Sequence, residues 1–208
     1  MKEELAKKIE TAIWVGNSLF TRGKTAGSSA NMSFLHEDYV YISGSGTCFG
    51  TLTPNSFSVV DLEGRHISGI KPSKELPLHL LLYRKKEGTK AVLHTHSFYS
   101  VLWSCLEHEN AEDCIPEYTP YLKMKLGSVG LVPYAKPGSE ELFAAFAACI
   151  DKSGGYLLRH HGVVVAGADL LSAFFNLEEL EESARVAWEL RGSGVRTIRQ
   201  LVRERSAQ

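Results

Sequence analysis

The chain has 208 residues, of which 44% are hydrophobic and 23% are charged, and its formal net charge is -1. This length fits a single domain over residues 1–208, because domains commonly reach about 250 residues. The small net charge argues against a nucleic-acid partner. No apolar run approaches the roughly 20 residues that span a bilayer, so we expect no membrane partner either.

The amino terminus carries the charged residues Lys2, Glu3 and Glu4 where a secretory signal has its apolar segment. This pattern predicts a cytoplasmic protein. The four cysteines are far apart and show neither zinc-finger nor thioredoxin spacing. We expect them to be free, buried thiols.

The first half of the chain predicts one helix followed by a strand meander. Apolar residues at near-helical spacing predict a helix from the amino terminus to Arg22. A loop rich in glycine and serine then leads to predicted strands at residues 31–35, 39–43 and 57–62. The tip at residues 43–47 reads Ser-Gly-Ser-Gly-Thr. Its backbone N–H groups and hydroxyls can hold an anion, although the same residues also form plain turns.

The second half alternates helices with strands. Residues 71–75 predict a helix start, with Ser73 as a cap and Glu75 in the first turn. The amino end of this helix can hold a phosphate. Further helices are predicted at residues 97–107, 140–152 and 170–191, and strands near residues 91–96, 129–133 and 156–166. This order predicts an α/β layered fold with antiparallel strand pairs at the amino end.

Two histidine clusters are the most informative feature. His94-Thr95-His96 ends the apolar run at residues 91–93, and alternation along a strand places both rings on one face. The pair His160-His161 can supply a third ring. Catalytic zinc takes three protein ligands and leaves one position open, so this pattern predicts a divalent metal site.

The other titratable residues leave more than one interpretation open. Glu75 can face the same cleft, where it can bind the metal or transfer a proton, but an ordinary first-turn acid favoured by the helix dipole fits equally well. We interpret His36, His66 and His108 as surface residues, because their neighbours are polar.

Several motifs in order along the chain resemble one known family. They are Asn31 within residues 27–33, the Ser45-Gly46 tip, the Pro72-Ser73-Lys74-Glu75 helix start, His94-x-His96 and His161-Gly162. The same order occurs in class II aldolases of the superfamily that includes fuculose-phosphate aldolase, ribulose-phosphate 4-epimerase and the adducin head. The resemblance extends from about Leu19 to Glu189.

The resemblance implies a homotetrameric enzyme with a three-layer α/β/α fold around a central, largely antiparallel mixed sheet. It implies Zn²⁺, or Mn²⁺ or another divalent ion, held by His94, His96 and His161, with Glu75 as ligand or acid/base. The implied phosphate-binding residues are Asn31, Ser45, Gly46, Ser73 and Lys74. His79 also matches a family position, with a supporting role expected behind the metal site.

Lys74 and the segments at residues 71–79, 119–127 and 133–138 look most like 3-oxo-tetronate 4-phosphate decarboxylases. In this subgroup a ketone lies beta to the substrate carboxylate, and loss of carbon dioxide leaves a metal-stabilised enediolate that protonation converts to dihydroxyacetone phosphate. Tyr121 is a candidate acid, and Lys123 and Lys125 are candidate anion ligands or surface residues. Ala30 departs from the glycine that is usual in the aldolases.

Three functions therefore compete. The first is the decarboxylase, acting on a phosphorylated sugar acid. The second is a sugar-phosphate aldolase of the L-fuculose 1-phosphate type, or a ribulose-phosphate 4-epimerase, with the same metal site. The third is a non-catalytic binding module like the adducin head, against which the presence of all three histidines and Glu75 counts.

Overall fold

The structure is a computed structural model that describes residues 2–206. Eight strands form one sheet, and in chain order they are β1 (Asn31–His36), β2 (Tyr39–Ser43), β3 (Phe57–Asp61), β4 (His66–Gly69), β5 (Ala91–Thr95), β6 (Val129–Val132), β7 (Gly155–Leu158) and β8 (Gly162–Gly167). Their order across the sheet is β4-β3-β2-β1-β5-β8-β7-β6. The pair β6–β7 is parallel, and every other neighbouring pair is antiparallel.

Seven α-helices accompany these strands within residues 2–206. They are α1 (Lys2–Thr21), α2 (Leu76–Lys85), α3 (Phe98–Ser104), α4 (Tyr121–Leu126), α5 (Glu140–Cys149), α6 (Leu170–Glu189) and α7 (Ile198–Ser206). Short 3₁₀ helices span Phe49–Thr51, Pro54–Ser56 and Ile150–Lys152. In the described part of the chain, no helix combines the length and apolar character that a bilayer crossing requires.

Helices cover the two faces of the sheet, because side chains of the strands alternate between two cores. On β5, Leu93 packs into a core shared with α1, α3, α4 and α6, whereas Val92 packs into a core shared with α2 and α5. The same alternation separates Val163 from Val164 on β8. The predicted three-layer α/β/α fold with a largely antiparallel sheet is confirmed.

The predicted strand at residues 156–166 is wrong as one element. The structure has β7 and β8 joined by a tight turn, in which His161 N–H donates to the Leu158 carbonyl over 3.0 Å. His160 adopts a left-handed backbone conformation with φ 54° in this turn. The chain therefore reverses without the glycine or asparagine that usually marks such a position.

The helix predicted to start near Ser73 begins at Leu76, and Glu75 occupies its N-cap position. Pro77 lies in the first turn, where its missing N–H costs no intrahelical bond. Ser73 Oγ accepts a hydrogen bond from the Glu75 N–H over 3.3 Å. Glu75 therefore precedes the helix, and its position is set by the loop before it.

Two predictions of burial also need correction. His36 is buried, not on the surface, because its ring packs beside Tyr41 and Lys8 at the end of β1. The four cysteines are free, as predicted, but only Cys114 is buried. The assignment of residues 1–208 to one domain stays a prediction, and residues 1, 207 and 208 lie outside the described residues.

Candidate metal centre and substrate cavity

The sheet register brings the site residues of β1 and β5 to one face. Asn31 pairs with His94 and Ser33 pairs with Val92, so all four share the face that α2 covers. His96 follows β5 by one residue and lies beside His94 with a ring separation of 5.1 Å. The strand alternation expected for His94-x-His96 is therefore what the structure has.

The ring of His161 joins the two histidines of β5 from the turn before β8. Its centroid lies 4.9 Å from that of His94 and 4.8 Å from that of His96. One potential ligand atom from each of the three residues lies within 4.8 Å of the others. Among residues 2–206, the buried polar atoms without a hydrogen-bond partner include Nε2 of His94, Nε2 of His96 and Nδ1 of His161.

These unpartnered nitrogens fit a divalent metal ion. Nδ1 of His94 lies 3.0 Å from the carbonyl oxygen of Val163, which can only accept, so Nδ1 carries the proton. Nε2 then carries the lone pair, which is the state in which a histidine nitrogen binds a metal. Burial, together with the neighbouring His94 and His161, lowers the pKa of His96 to about 4. The His96 ring is therefore neutral near pH 7 and can bind a cation.

Glu75 lies next to the three rings. Its Oε2 is 3.2 Å from Nε2 of His94, and its Oε1 is 3.3 Å from Nε2 of His161, without hydrogen-bond alignment at Oε1. Burial alone would raise the pKa of Glu75, but the adjacent His161 and His94 outweigh it and hold that pKa well below its usual range. A buried, ionised carboxylate beside three nitrogen ligands completes a site that suits a divalent cation.

Gly162 is required for the close approach of the three rings. A Cβ atom at this position would lie 2.5 Å from the Thr95 carbonyl oxygen, 2.9 Å from Cδ2 of His96 and 3.1 Å from Cε1 of His94. Real Cβ atoms do not come so near to backbone atoms. The sequence showed Gly162 only as the neighbour of His161, so its role depends on a contact across two strands.

The histidine cluster opens into a cavity of about 290 Å³. The residues that line it are Ser28, Ser29, Ala30, Asn31, Gly44, Ser45, Gly46, Ser73, Lys74, Glu75, His96, Pro137 and His161. A larger, mostly apolar cavity of about 400 Å³ lies near the other end of β1, and its lining contains no histidine. The smaller cavity is therefore the one that adjoins the candidate metal site.

Two loops that are distant in sequence meet at the cavity wall. Gly44 forms a β-bridge with Pro72, and the Ser45 N–H donates to the Lys71 carbonyl over 2.9 Å. This pairing places Ser45 and Gly46 beside Ser73. Gly46 has φ 78°, and a Cβ atom added to it would have no neighbouring atom within 4 Å, so its backbone is open to a ligand. Hydroxyls and open backbone N–H groups suit a phosphate.

Lys74 brings a positive charge to the same wall. Its aliphatic stem packs beside Gly138, where a Cβ atom would lie 3.1 Å from Cδ of Lys74. Gly138 belongs to the loop that also supplies Pro137 to the cavity. The family resemblance includes this loop, but the sequence alone does not assign it to the site.

Nine of the ten predicted site residues lie at this cavity or in the buried cluster behind it. Tyr121 does not: it is 58% exposed at the start of α4 and is absent from the cavity lining. Lys123 pairs with Asp113, and Lys125 lies over the ring of Phe175 at 5.7 Å. The roles suggested for these three residues stay predictions.

The sequence matches the profile of the class II aldolase and adducin N-terminal domain over residues 10–188. A 3-oxo-tetronate 4-phosphate decarboxylase of Haemophilus influenzae is 38% identical over 196 residues, which cover 94% of this chain and 93% of the relative. An L-fuculose phosphate aldolase of Methanococcus maripaludis is 32% identical over 176 residues, 85% of this chain and 93% of the relative.

The fold is also similar to solved structures. The crystal structure of YgbL from Escherichia coli superposes with a TM-score of 0.87 at 38% sequence identity, covering 90% of this chain and 91% of that one. The profile match covers most of the chain, and the relatives match over nearly their whole length. The chain therefore belongs to the class II aldolase and adducin N-terminal domain family.

Proposed function

We propose that this protein is a metal-dependent lyase that converts a 3-oxo-tetronate 4-phosphate to dihydroxyacetone phosphate and carbon dioxide. The observation that carries the proposal is the cluster of His94, His96, His161 and Glu75 at the end of a cavity rich in anion-binding groups. The 38% identity to a relative with this activity, over 94% of the chain, selects the decarboxylase among the reactions that such a site supports.

The donor set supports zinc as the bound metal. Three neutral imidazoles form the ligand set of many catalytic zinc sites, although manganese and other divalent ions also bind nitrogen ligands. When bound, the cation supplies a Lewis acid that favours negative charge on nearby substrate oxygens. Glu75 would either bind the same ion or remain free for proton transfer.

The cavity residues suit the two anionic ends of such a substrate. We assign the phosphate to the hydroxyls of Ser45 and Ser73, the backbone of Gly46 and the amide of Asn31. Lys74 adds a charge-assisted contact to the phosphate or to the substrate carboxylate. These contacts hold the substrate in one orientation, with its ketone toward the histidine cluster.

For decarboxylation, the protein has to hold the substrate in position and to supply one proton to C2. The bond between C1 and C2 breaks, carbon dioxide leaves, and its electron pair stays on C2 as an enediolate shared with the C3 oxygen. A proton delivered to C2 then gives dihydroxyacetone phosphate. We assign this delivery to Glu75, the acidic residue of the cavity wall, whose ionised carboxylate takes a proton from a water molecule and passes it to C2, or orients a water that donates to C2 directly. In both cases the water leaves as hydroxide.

A turnover comparison tests the proposal. The purified, zinc-loaded protein is assayed for carbon dioxide release from a 3-oxo-tetronate 4-phosphate and for dihydroxyacetone phosphate release from L-fuculose 1-phosphate. Release of carbon dioxide that His96→Ala abolishes supports the decarboxylase. Turnover of the aldol substrate alone would refute it.

The aldolase is the second candidate, because the L-fuculose phosphate aldolase relative is 32% identical over 85% of this chain. An aldolase must also deprotonate a substrate hydroxyl while an aldehyde leaves, so it needs a base placed for that step. A homotetramer, which the family resemblance implies, and a cytoplasmic location complete the proposal. Sedimentation analysis of the purified protein tests the tetramer.

A further inference from the structure

A chain of hydrogen bonds runs from Glu75 into the interior between β1 and α2. Nδ2 of Asn31 donates to Oε2 of Glu75 over 3.0 Å, and Oδ1 of Asn31 lies 2.6 Å from Nε2 of His79. Oγ of Ser33 lies 2.7 Å from Nδ1 of His79 and 2.7 Å from the hydroxyl oxygen of Tyr83. Ser33, His79 and Tyr83 do not line the cavity, so they can act on a substrate only through Asn31.

The donors and acceptors in this chain have one consistent direction. Asn31 presents its NH₂ group to Glu75 and its carbonyl oxygen to His79. A carbonyl oxygen only accepts hydrogen bonds. Nε2 of His79 must therefore carry the proton of this neutral ring.

The protonation state of His79 then decides which atoms donate in the hydrogen bonds to Ser33 and Tyr83. Burial lowers the pKa of His79 to about 3, so the ring is neutral near pH 7 and Nδ1 accepts. Ser33 must donate its hydroxyl proton to Nδ1, and Tyr83 must donate to Ser33. Burial raises the pKa of Tyr83, which keeps this last donor protonated. In each hydrogen bond from Tyr83 to Glu75, the donor is therefore the partner that lies farther from Glu75.

We propose that His79, oriented by Ser33 and Tyr83, is a positioning residue that locks the Asn31 amide with its NH₂ group toward Glu75 and the substrate cavity. Without the donor on His79, the amide can rotate and present its carbonyl oxygen to Glu75 and to the substrate phosphate. That oxygen repels both anions, whereas the NH₂ group attracts them. This inference rests on the proposed function, because Asn31 is assigned there to the phosphate.

The kinetic test compares two replacements of His79. His79→Leu removes both ring nitrogens, whereas His79→Gln keeps an amide N–H for Oδ1 of Asn31. We expect His79→Leu to raise KM for the 3-oxo-tetronate 4-phosphate by about 10-fold to 100-fold with a smaller change in kcat, since charged hydrogen bonds are worth that much. His79→Gln should recover most of this loss. An unchanged KM in His79→Leu, or no recovery in His79→Gln, overturns the proposal.

A matched control separates positioning from general loss of a buried ring. His36→Leu removes another buried histidine, which lies on β1 and away from the cavity. It should leave KM unchanged, and both His79 variants should keep the metal content of the wild type. If His79→Leu does not fold, Ser33→Ala tests the same chain, with an expected rise in KM of about 3-fold to 10-fold. No rise in Ser33→Ala then overturns the proposal.

A second readout does not depend on turnover. Nitrogen-15 NMR of the zinc-loaded wild type should show the ring of His79 as the Nε2–H tautomer at pH 7. The Nδ1–H tautomer, or a protonated ring, overturns the positioning role whatever the substrate is. Absence of carbon dioxide release together with the Nε2–H tautomer would refute only the proposed function.

Discussion

Gly162 lies so close to His96 that no side chain fits between them, since a Cβ atom at position 162 would come within 2.9 Å of Cδ2 of His96. The Thr95 carbonyl oxygen, which cannot move away without distorting β5, would lie at 2.5 Å. The spacing of the three candidate metal ligands therefore depends on a residue that has no side chain and binds nothing itself.

Gly162→Ala should weaken metal binding by about 10-fold or more, because overpacking of this kind costs about 1–3 kcal/mol and falls directly on His94 and His96. Metal retained per chain, measured after dialysis against graded chelator, tests this. Gly88→Ala is the control, since Gly88 also resists substitution, with φ 77°, but has no neighbour within 4 Å of the added carbon. It should lose stability and keep its metal. Equal metal retention in both variants would contradict the prediction.

Glu75→Gln should lower kcat by about 10²-fold to 10⁴-fold, the usual contribution of a positioned acid or base. Glutamine keeps the shape of the side chain and an oxygen that can accept from Asn31, but it cannot transfer a proton. KM and the melting temperature should change little. Steady-state release of carbon dioxide by the zinc-loaded variant checks this. A kcat equal to that of the wild type would show that Glu75 takes no part in the proton transfer.

Gly138→Ala should raise KM for the phosphorylated substrate and leave kcat nearly unchanged, because the added carbon would press on the stem of Lys74 at 3.1 Å. An effect of about 10-fold matches loss of one charge-assisted hydrogen bond.

The control for this effect is Gly127→Ala. Gly127 has a similar φ of 68° but open space around it, so this variant should keep the KM of the wild type. In a Lys74→Ala background, Gly138→Ala should add no further loss. Additive effects of the two substitutions would show that Gly138 acts independently of Lys74.

Acid should destabilise the wild type more than a variant that lacks His79. The pKa of His79 is lowered to about 3 in the folded protein, whereas an unfolded histidine titrates near 6.5. Between these values the unfolded chain binds a proton that the folded chain does not, so stability falls as the pH falls. The contribution of His79 is fully present above pH 6.5 and decreases toward pH 3.

Denaturant unfolding of the wild type and His79→Gln at pH 7 and pH 5 measures this difference. The wild type should lose about 2 kcal/mol more free energy of unfolding than the variant over this interval. His66→Gln is the control: it replaces an exposed histidine and should lose as much free energy of unfolding as the wild type. Equal losses in the wild type and His79→Gln would show that His79 is already protonated at pH 7 or stays neutral when unfolded.

The layered α/β fold and the pair His94 and His96 could be predicted from local sequence patterns, whereas the family and the rest of the candidate site were predicted from the resemblance of its motifs to that family. Alternation of side chains along β5 places His94 and His96 on one face. This alternation follows from the geometry of a single strand and does not depend on the rest of the fold. Helical and strand periodicity located α1, β1, β2 and α6 within a few residues for the same reason. The motif order also identified Glu75 and His161 as members of the site.

The turn between β7 and β8, the hydrogen-bond chain behind Asn31 and the separation of Tyr121 from the cavity were decided only by the tertiary structure. His160 adopts a left-handed backbone conformation because the pairing of β7 with β8 requires it. The residue types around His160 do not predict this conformation. Ser33, His79 and Tyr83 meet across β1 and α2, and Gly162 touches His96 across β5 and β8. Contacts of this kind depend on strand register and helix packing, which local patterns do not encode.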